Sequence, residues 1–260
     1  MANPTITATA DVDNAVIEIS VAGSWGRQAR SRLWDLLHKC LAERPRAVLV
    51  DVTDLHDSTG SSAATLLNAQ RAAAQLDPPV RLAVCAPEGA AGRALRRSVP
   101  VHHSLDDART ALANTRPLSR SEQARYEPDI MSVPAARNLA GDACLTWNLP
   151  DLAHPARQVV SELATNAVEH AATPFVVTVS RRGRLVHLAV QDHSPTMPVY
   201  TRPAPYEPGD ALLGRGFGLQ TVHRLATAWG YLPTRDGKVV WATLGAPRSA
   251  PPRRVRPGAS

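Results

Sequence analysis

The feature that most limits the folds open to this chain is a set of short apolar runs set between amphipathic helical patterns. "RAVLVDV" and "VRLAVCA" are too short for helices and carry almost no polar residue, so each reads as a buried strand. Between them lies "SSAATLLNAQRAAAQL", a helix stopped by "DPP". Before them, "TITATA" and "AVIEISVAG" read as two strands joined at an Asp-Asn turn, followed by the helix "RQARSRLWDLLHKCLAE". In that helix Leu33, Leu36, Leu37 and Leu41 recur at spacings of three and four. "GAAGRALRRS" and "DDARTALAN" add helical segments. Alternation of this kind predicts a small α/β domain over residues 1–114.

The segment "TRPLSRSEQARYEPD", residues 115–129, is polar and unpatterned, and reads as a linker. A second domain is expected over residues 130–246. Its helices are "VPAARNLAGDACLTWNL", the longer "PDLAHPARQVVSELATNAVEHA", and "GLQTVHRLATAWG". "PFVVTVSRRGRLVHLAVQD" reads as a hairpin of alternating strands turning at Arg181 to Gly183, and "KVVWATL" as a final strand. "SPTMPVYTRPAPYEPGDALLGRG" is a long proline-rich loop.

Aromatic residues make up only 4% of the chain, so both cores must be aliphatic and alanine-rich. The net charge of +6 is unevenly spread. Residues 1–115 carry as many acids as bases. The tail 247–260 holds Arg248, Arg253, Arg254 and Arg256 with no acid, and reads as a disordered basic tail. With most of the excess charge in that tail and the first domain neutral, the chain is not expected to bind nucleic acid directly. Cys40, Cys85 and Cys144 are far apart and show no metal-ligand spacing, which fits a reducing compartment. The N-terminus has no basic, apolar leader pattern, and no apolar run approaches the ~20 residues of a membrane span. A soluble cytoplasmic protein is expected.

Chemistry-bearing residues concentrate in two places. In "VVSELATNAVEHA", Glu162, Asn166 and His170 lie four apart and would form one stripe beside the apolar stripe of Val160, Leu163 and Ala167. A carboxylate and an amide at the edge of a packed face suit a hydrated Mg²⁺. Asp192 follows a strand and offers either an acceptor for a purine amino group or a turn residue. "GRGFGLQTV" places Gly214, Gly216 and Gly218 before a helix, where backbone N–H groups cradle phosphate. The second place is "LHDSTGSS", residues 55–62, between a strand and a helix. Ser58 there would lie at or near a helix N-cap, where a phosphate gains from free N–H groups and the helix dipole.

The order and spacing of these motifs resemble the histidine-kinase-like (GHKL) ATPase fold, and within it the serine-kinase anti-sigma factors of bacteria. "SELATNAVEHA" is similar to that family's N box, "DHSP" to its first nucleotide loop and "GRGFGLQTV" to its glycine loop. The resemblance implies ATP and Mg as cofactors, Asn166 holding Mg²⁺, Glu162 as the catalytic base, Asp192 recognising adenine, and Gly214, Gly216 and Gly218 at the phosphates. Arg137, in "AARNLAG", matches an arginine that faces the partner protein. Strand, "LHDSTG" and helix resemble the STAS domain of anti-sigma factor antagonists, which implies that Ser58 is a phosphorylation site and Asp57 partner-facing. The expected architecture is a STAS-type α/β domain followed by a GHKL-type α/β sandwich.

The implied function is a partner-switching regulator of sigma-factor activity, with a protein serine kinase domain acting on Ser58 in cis or on a separate antagonist in trans. Sigma factors and antagonists would be its partners, with docking of the two domains and a homodimer both open. The alternative is a non-catalytic adaptor that acts by binding alone. Ser61 and Ser62 after Gly60, and Ser194 and Pro195 after His193, depart from the family pattern and favour it.

Overall fold

The computed structural model describes residues 4–86, 90–113, 120–198 and 218–245. Two α/β units follow one another, as expected. The first is built on a six-stranded sheet. Strands β1 (Thr5–Asp11) and β2 (Val16–Ser24) form an antiparallel hairpin. Strands β3 (Ala47–Asp51), β5 (Arg81–Cys85) and β6 (Val101–His102) extend it in parallel, and the short β4 (Leu55–His56) pairs with the end of β2. Helices α1 (Arg27–Ala42), α2 (Ser62–Ala74), α3 (Ala90–Leu95) and α4 (Leu105–Ala113) complete the unit. Val48 and Val50 on β3 share a cluster with Leu33 and Leu37 of α1 and Leu66 of α2, while Ala47 and Leu49 pack with Ala108 and Leu112 of α4. Burial on both faces explains why these strands read as continuous apolar runs.

The second unit is a five-stranded antiparallel sheet in the order β10-β11-β9-β8-β7. Its strands are β7 (Ser121–Tyr126), β8 (Phe175–Arg182), β9 (Leu185–Asp192), β10 (Ala228–Thr234) and β11 (Gly237–Gly245). Helices α5 (Ser132–Thr146), α6 (Pro150–Asn166) and α7 (Gly218–Leu225) accompany it. Two elements differ from the sequence reading. The stretch read as a linker contains β7, an edge strand bonded to β8. The end of "GLQTVHRLATAWG" is not helix, because α7 stops at Leu225 and "AWGYLPT" becomes β10. Pro233 is tolerated there because β10 is the other edge of the sheet.

Side chains alternate across this sheet. Val177 and Val179 of β8, Val186, Leu188 and Val190 of β9, and Val240, Ala242 and Leu244 of β11 pack with α5 and α6. Ala189, Val239, Trp241 and Leu232 point the other way, into the core of the first unit beside Ala8, Ala10 and Ile17. The two units are therefore docked, with the first covering the back of the second sheet. Arg182, at the tip of the β8–β9 hairpin, donates from Nη1 to the backbone oxygens of Glu43 and Arg44 just past α1. Gln123 donates to Asp13 at 3.2 Å, and Lys39 Nζ lies 4.7 Å from the Tyr231 ring centroid. No helix among the described residues is long and apolar enough to cross a membrane.

Candidate functional site

Helix α6 buries Leu152, Ala156, Val159, Val160, Leu163 and Ala164 against the sheet. Glu162 and Asn166 fall on the margin of that buried face, one turn apart, and both are half-buried. Burial raises the Glu162 carboxyl above the ordinary glutamate range. Its Oε2 presses against the start of α7, where a Cβ built on Gly218 would lie only 2.7 Å away. Gly218 is thus the residue that lets a helix start beside the carboxylate.

The α-helix does not continue unchanged past Asn166. Residues Ala167–Ala171 form a π-turn, closed by the Ala172 N–H donating to the Ala167 carbonyl at 3.0 Å. The extra residue breaks the four-residue stripe expected to include His170, which is exposed. The chain then reverses at Ala172, with φ 50°. Thr173 Oγ1 accepts the His193 N–H at 3.1 Å, tying the end of the π-turn to the loop after Asp192.

Asp192 ends β9 on the helix side, in the alternation that includes Val190 and Leu188, and is 3% exposed. Its Oδ1 accepts from Lys238 Nζ at 2.9 Å and from the Ser194 N–H at 2.9 Å. Lys238 is also buried and sits directly opposite Asp192 in the β9–β11 register. The sequence reading missed this partner. One signal was available: Lys238 is one of only two lysines, and it opens a strand whose alternate residues are apolar. Both bonds fall on Oδ1, so a base amino group would be accepted by Oδ2.

These residues fit a Mg-nucleotide in a particular way. No group of three or more His, Cys, Asp or Glu placed to hold a metal occurs among the described residues. The protein would supply one oxygen, from Asn166, and the remaining ligands would be phosphates and water, as Mg²⁺ prefers. Gly214 and Gly216 lie outside the described residues. Arg137 is exposed on α5.

The second candidate lies in the first unit. Here the cap is Asp57, not Ser58. Asp57 Oδ2 accepts the Ser62 N–H at 2.7 Å, and Oδ1 accepts the Ser61 N–H at 3.2 Å and the Thr59 hydroxyl at 3.0 Å. Burial works against the Asp57 charge, but hydrogen bonds from Ser62, Thr59 and Ser61 outweigh it and hold the carboxyl below its usual range. The Ser61 and Ser62 N–H groups are therefore already used. Ser58 is exposed and lies ahead of the helix. Ser61 and Ser62 donate their backbone N–H groups to Asp57, and Ser62 is buried under the helix start.

A third polar cluster was not foreseen. Glu43, Arg182, His187 and Ser180 are all at least nine-tenths buried, where the units meet. They line a cleft of about 250 Å³. His187 Nε2 is 3.8 Å from Glu43 Oε1. Burial pushes Glu43 up to about 7, with Arg182 and Lys39 partly offsetting it, and holds His187 well below its usual value, so the imidazole is neutral.

Comparison with known proteins finds one matching family model. Residues 152–248 match the model of the histidine kinase-, DNA gyrase B-, and HSP90-like ATPases, a match spanning less than half of the chain. No curated relative matches. Among solved structures, the chain is similar to an anti-sigma factor antagonist from Mycobacterium paratuberculosis. Identity is 20% and the TM-score 0.38, over 43% of this chain and 96% of that one.

Proposed function

We propose that this chain, which carries a histidine-kinase-like ATPase domain over residues 152–248, is a partner-switching regulator of sigma-factor activity whose second unit is an ATP- and Mg²⁺-dependent protein serine kinase. The acceptor is a STAS-domain serine, Ser58 or its counterpart on a separate antagonist. The observation that carries this reading is Glu162: a half-buried carboxyl with a raised pKa, set against Gly218 and one turn from Asn166.

Bound Mg-ATP would supply the phosphoryl group and the metal charge that neutralises it. Asn166 would hold the metal through its amide oxygen. Asp192 accepts from the base amino group, and Lys238 holds that carboxylate in place. Glu162 takes the proton from the attacking hydroxyl, and its raised pKa makes it a stronger base than an exposed glutamate. Because only the carboxylate form accepts a proton, transfer should slow as pH falls through that raised value. Phosphate on Ser58 adds about −1.5 to −2 charge next to Asp57, enough to expel a partner fitted to the bare serine.

The test is incubation with Mg-ATP and mapping of phosphoserine by mass spectrometry. Glu162→Gln should reduce transfer by roughly 10²–10⁴-fold while leaving nucleotide affinity largely intact. Nucleotide binding without phosphate on Ser58 or on any added STAS protein would leave the binding-only adaptor standing. Ser194 and Pro195 in the nucleotide loop favour that second reading.

A further inference from the structure

We propose that phosphoryl transfer to Ser58 runs head to tail between two copies of this chain and not within one. The inference rests on the kinase reading above and adds the partner. Its ground is the position of the two ends of the reaction.

Helix α6 and the first unit lie on opposite faces of the second sheet. Val240, Ala242 and Leu244 of β11 face α6, while Val239 and Trp241, between and beside them, face the first unit. Glu162 is therefore separated from the whole first unit by a packed sheet. The first unit is also held by its far end. Its contacts with the second unit run through β1, the Asp13 turn, Lys39 at the end of α1, and the Glu43 and Arg44 carbonyls beyond it. Pro78, beyond the end of α2, packs near Gly183 at the hairpin tip. Ser58 lies at the other end of the same helices. Trp25, before α1, donates to the His56 carbonyl, and Asp57 caps the start of α2. The length of α2, 13 residues, separates the docked end from the Ser58 end by roughly 20 Å.

Attack requires the seryl oxygen within about 3–3.5 Å of phosphorus. Within one docked chain that approach is blocked by both the length of the first unit and the sheet. Between two chains it is open, because the exposed Ser58 end of one copy faces outward and can meet the α6 face of another. The bond formed is Ser58 Oγ to the γ-phosphorus. The bond broken joins that phosphorus to the nucleoside diphosphate, which leaves with the electron pair, and the hydroxyl proton passes to Glu162 of the donor copy. Such a contact uses two different surfaces, so it is heterologous.

The experiment mixes a Ser58→Ala chain with a Glu162→Gln chain in Mg-ATP. Label is expected on Ser58 of the second chain, and wild-type Ser58 labelling should slow about tenfold per molecule on tenfold dilution. A short bis-maleimide bridge between Asp13→Cys and Gln123→Cys holds the units docked, and labelling should persist. The native cysteines are buried and do not compete. Dilution-independent labelling, or labelling lost on bridging, would overturn the proposal. Label on an added STAS protein but never on Ser58 would overturn the choice of partner and leave the kinase reading intact. If nothing is labelled anywhere, the kinase reading falls. Thiol capping of a Ser58→Cys chain then still decides the placement. Protection by nucleotide only at high protein concentration supports it, and protection in dilute solution overturns it.

Discussion

The two faces of the five-stranded sheet are made by alternate residues of the same strands, yet they are built differently. The α6 face is aliphatic up to its margin, where Asp192 and Lys238 form one closed pair. The face toward the first unit mixes Trp241 and Val239 with Thr178, Ser180, Arg182 and His187, all buried. Several of those polar atoms lack a hydrogen-bond partner, Ser180 Oγ and both His187 ring nitrogens, as does Glu43 Oε2 of the first unit facing them. One face is a core with a site at its rim. The other is a surface that became buried because a second unit covers it. The contrast teaches that strand alternation alone reports polarity, not exposure. A polar face reads as solvated until the sequence supplies something to put on it.

The largest expected effect breaks the covered face. Trp241→Ala should cost about 3–5 kcal/mol. If the back face holds the first unit in place, denaturant unfolding should split into two transitions. A single transition at the wild-type midpoint would show that the docking does not depend on it. Next comes pH. Glu43, pushed up to about 7 by burial, takes up a proton on folding, so its contribution to stability is full below about 4.5 and is lost as pH rises through about 7. His187 works the other way, losing stability as pH falls below about 6.5. Glu43→Gln removes the first slope. It should leave stability near pH 4.5 little changed and raise it at pH 8 by about 3 kcal/mol, read from urea midpoints. The smallest effect is a gain. Ser180→Ala removes a buried hydroxyl without a partner and should stabilise by under about 1 kcal/mol. A clear loss would mean that water in the cleft satisfies that hydroxyl.

Much of the fold was legible because strand and helix patterns in the first half agree with their burial. Leu33, Leu37 and Cys40 form the inward stripe of α1, and the run at β3 is buried on both sides. The stripe of Glu162 and Asn166 was legible for the same reason. What was hidden has local causes. Strand β7, "SEQARY", is an edge strand with no fully buried residue, so its alternation is polar against half-buried. Strand β10 begins with Ala-Trp-Gly, which continues a helical pattern as easily as it starts a strand. The π-turn after Asn166 leaves no mark in hydrophobic period. The cap role of Asp57 was blurred because Ser58, Thr59, Ser61 and Ser62 are all capable caps, and only the loop geometry chooses.

Strand β7 has a practical consequence for anyone who wishes to separate the units. A cut placed at residue 129, where the polar segment ends, would strip the sheet of its edge and leave β8 bare. The exposed ladder would run along Phe175, Val177 and Val179, in a strand rich in β-branched residues and mostly buried. Such an edge recruits strands from other molecules. An isolated second unit that precipitates would then report where the knife fell, not how the domain behaves. A fragment beginning before Ser121 keeps its own selvage.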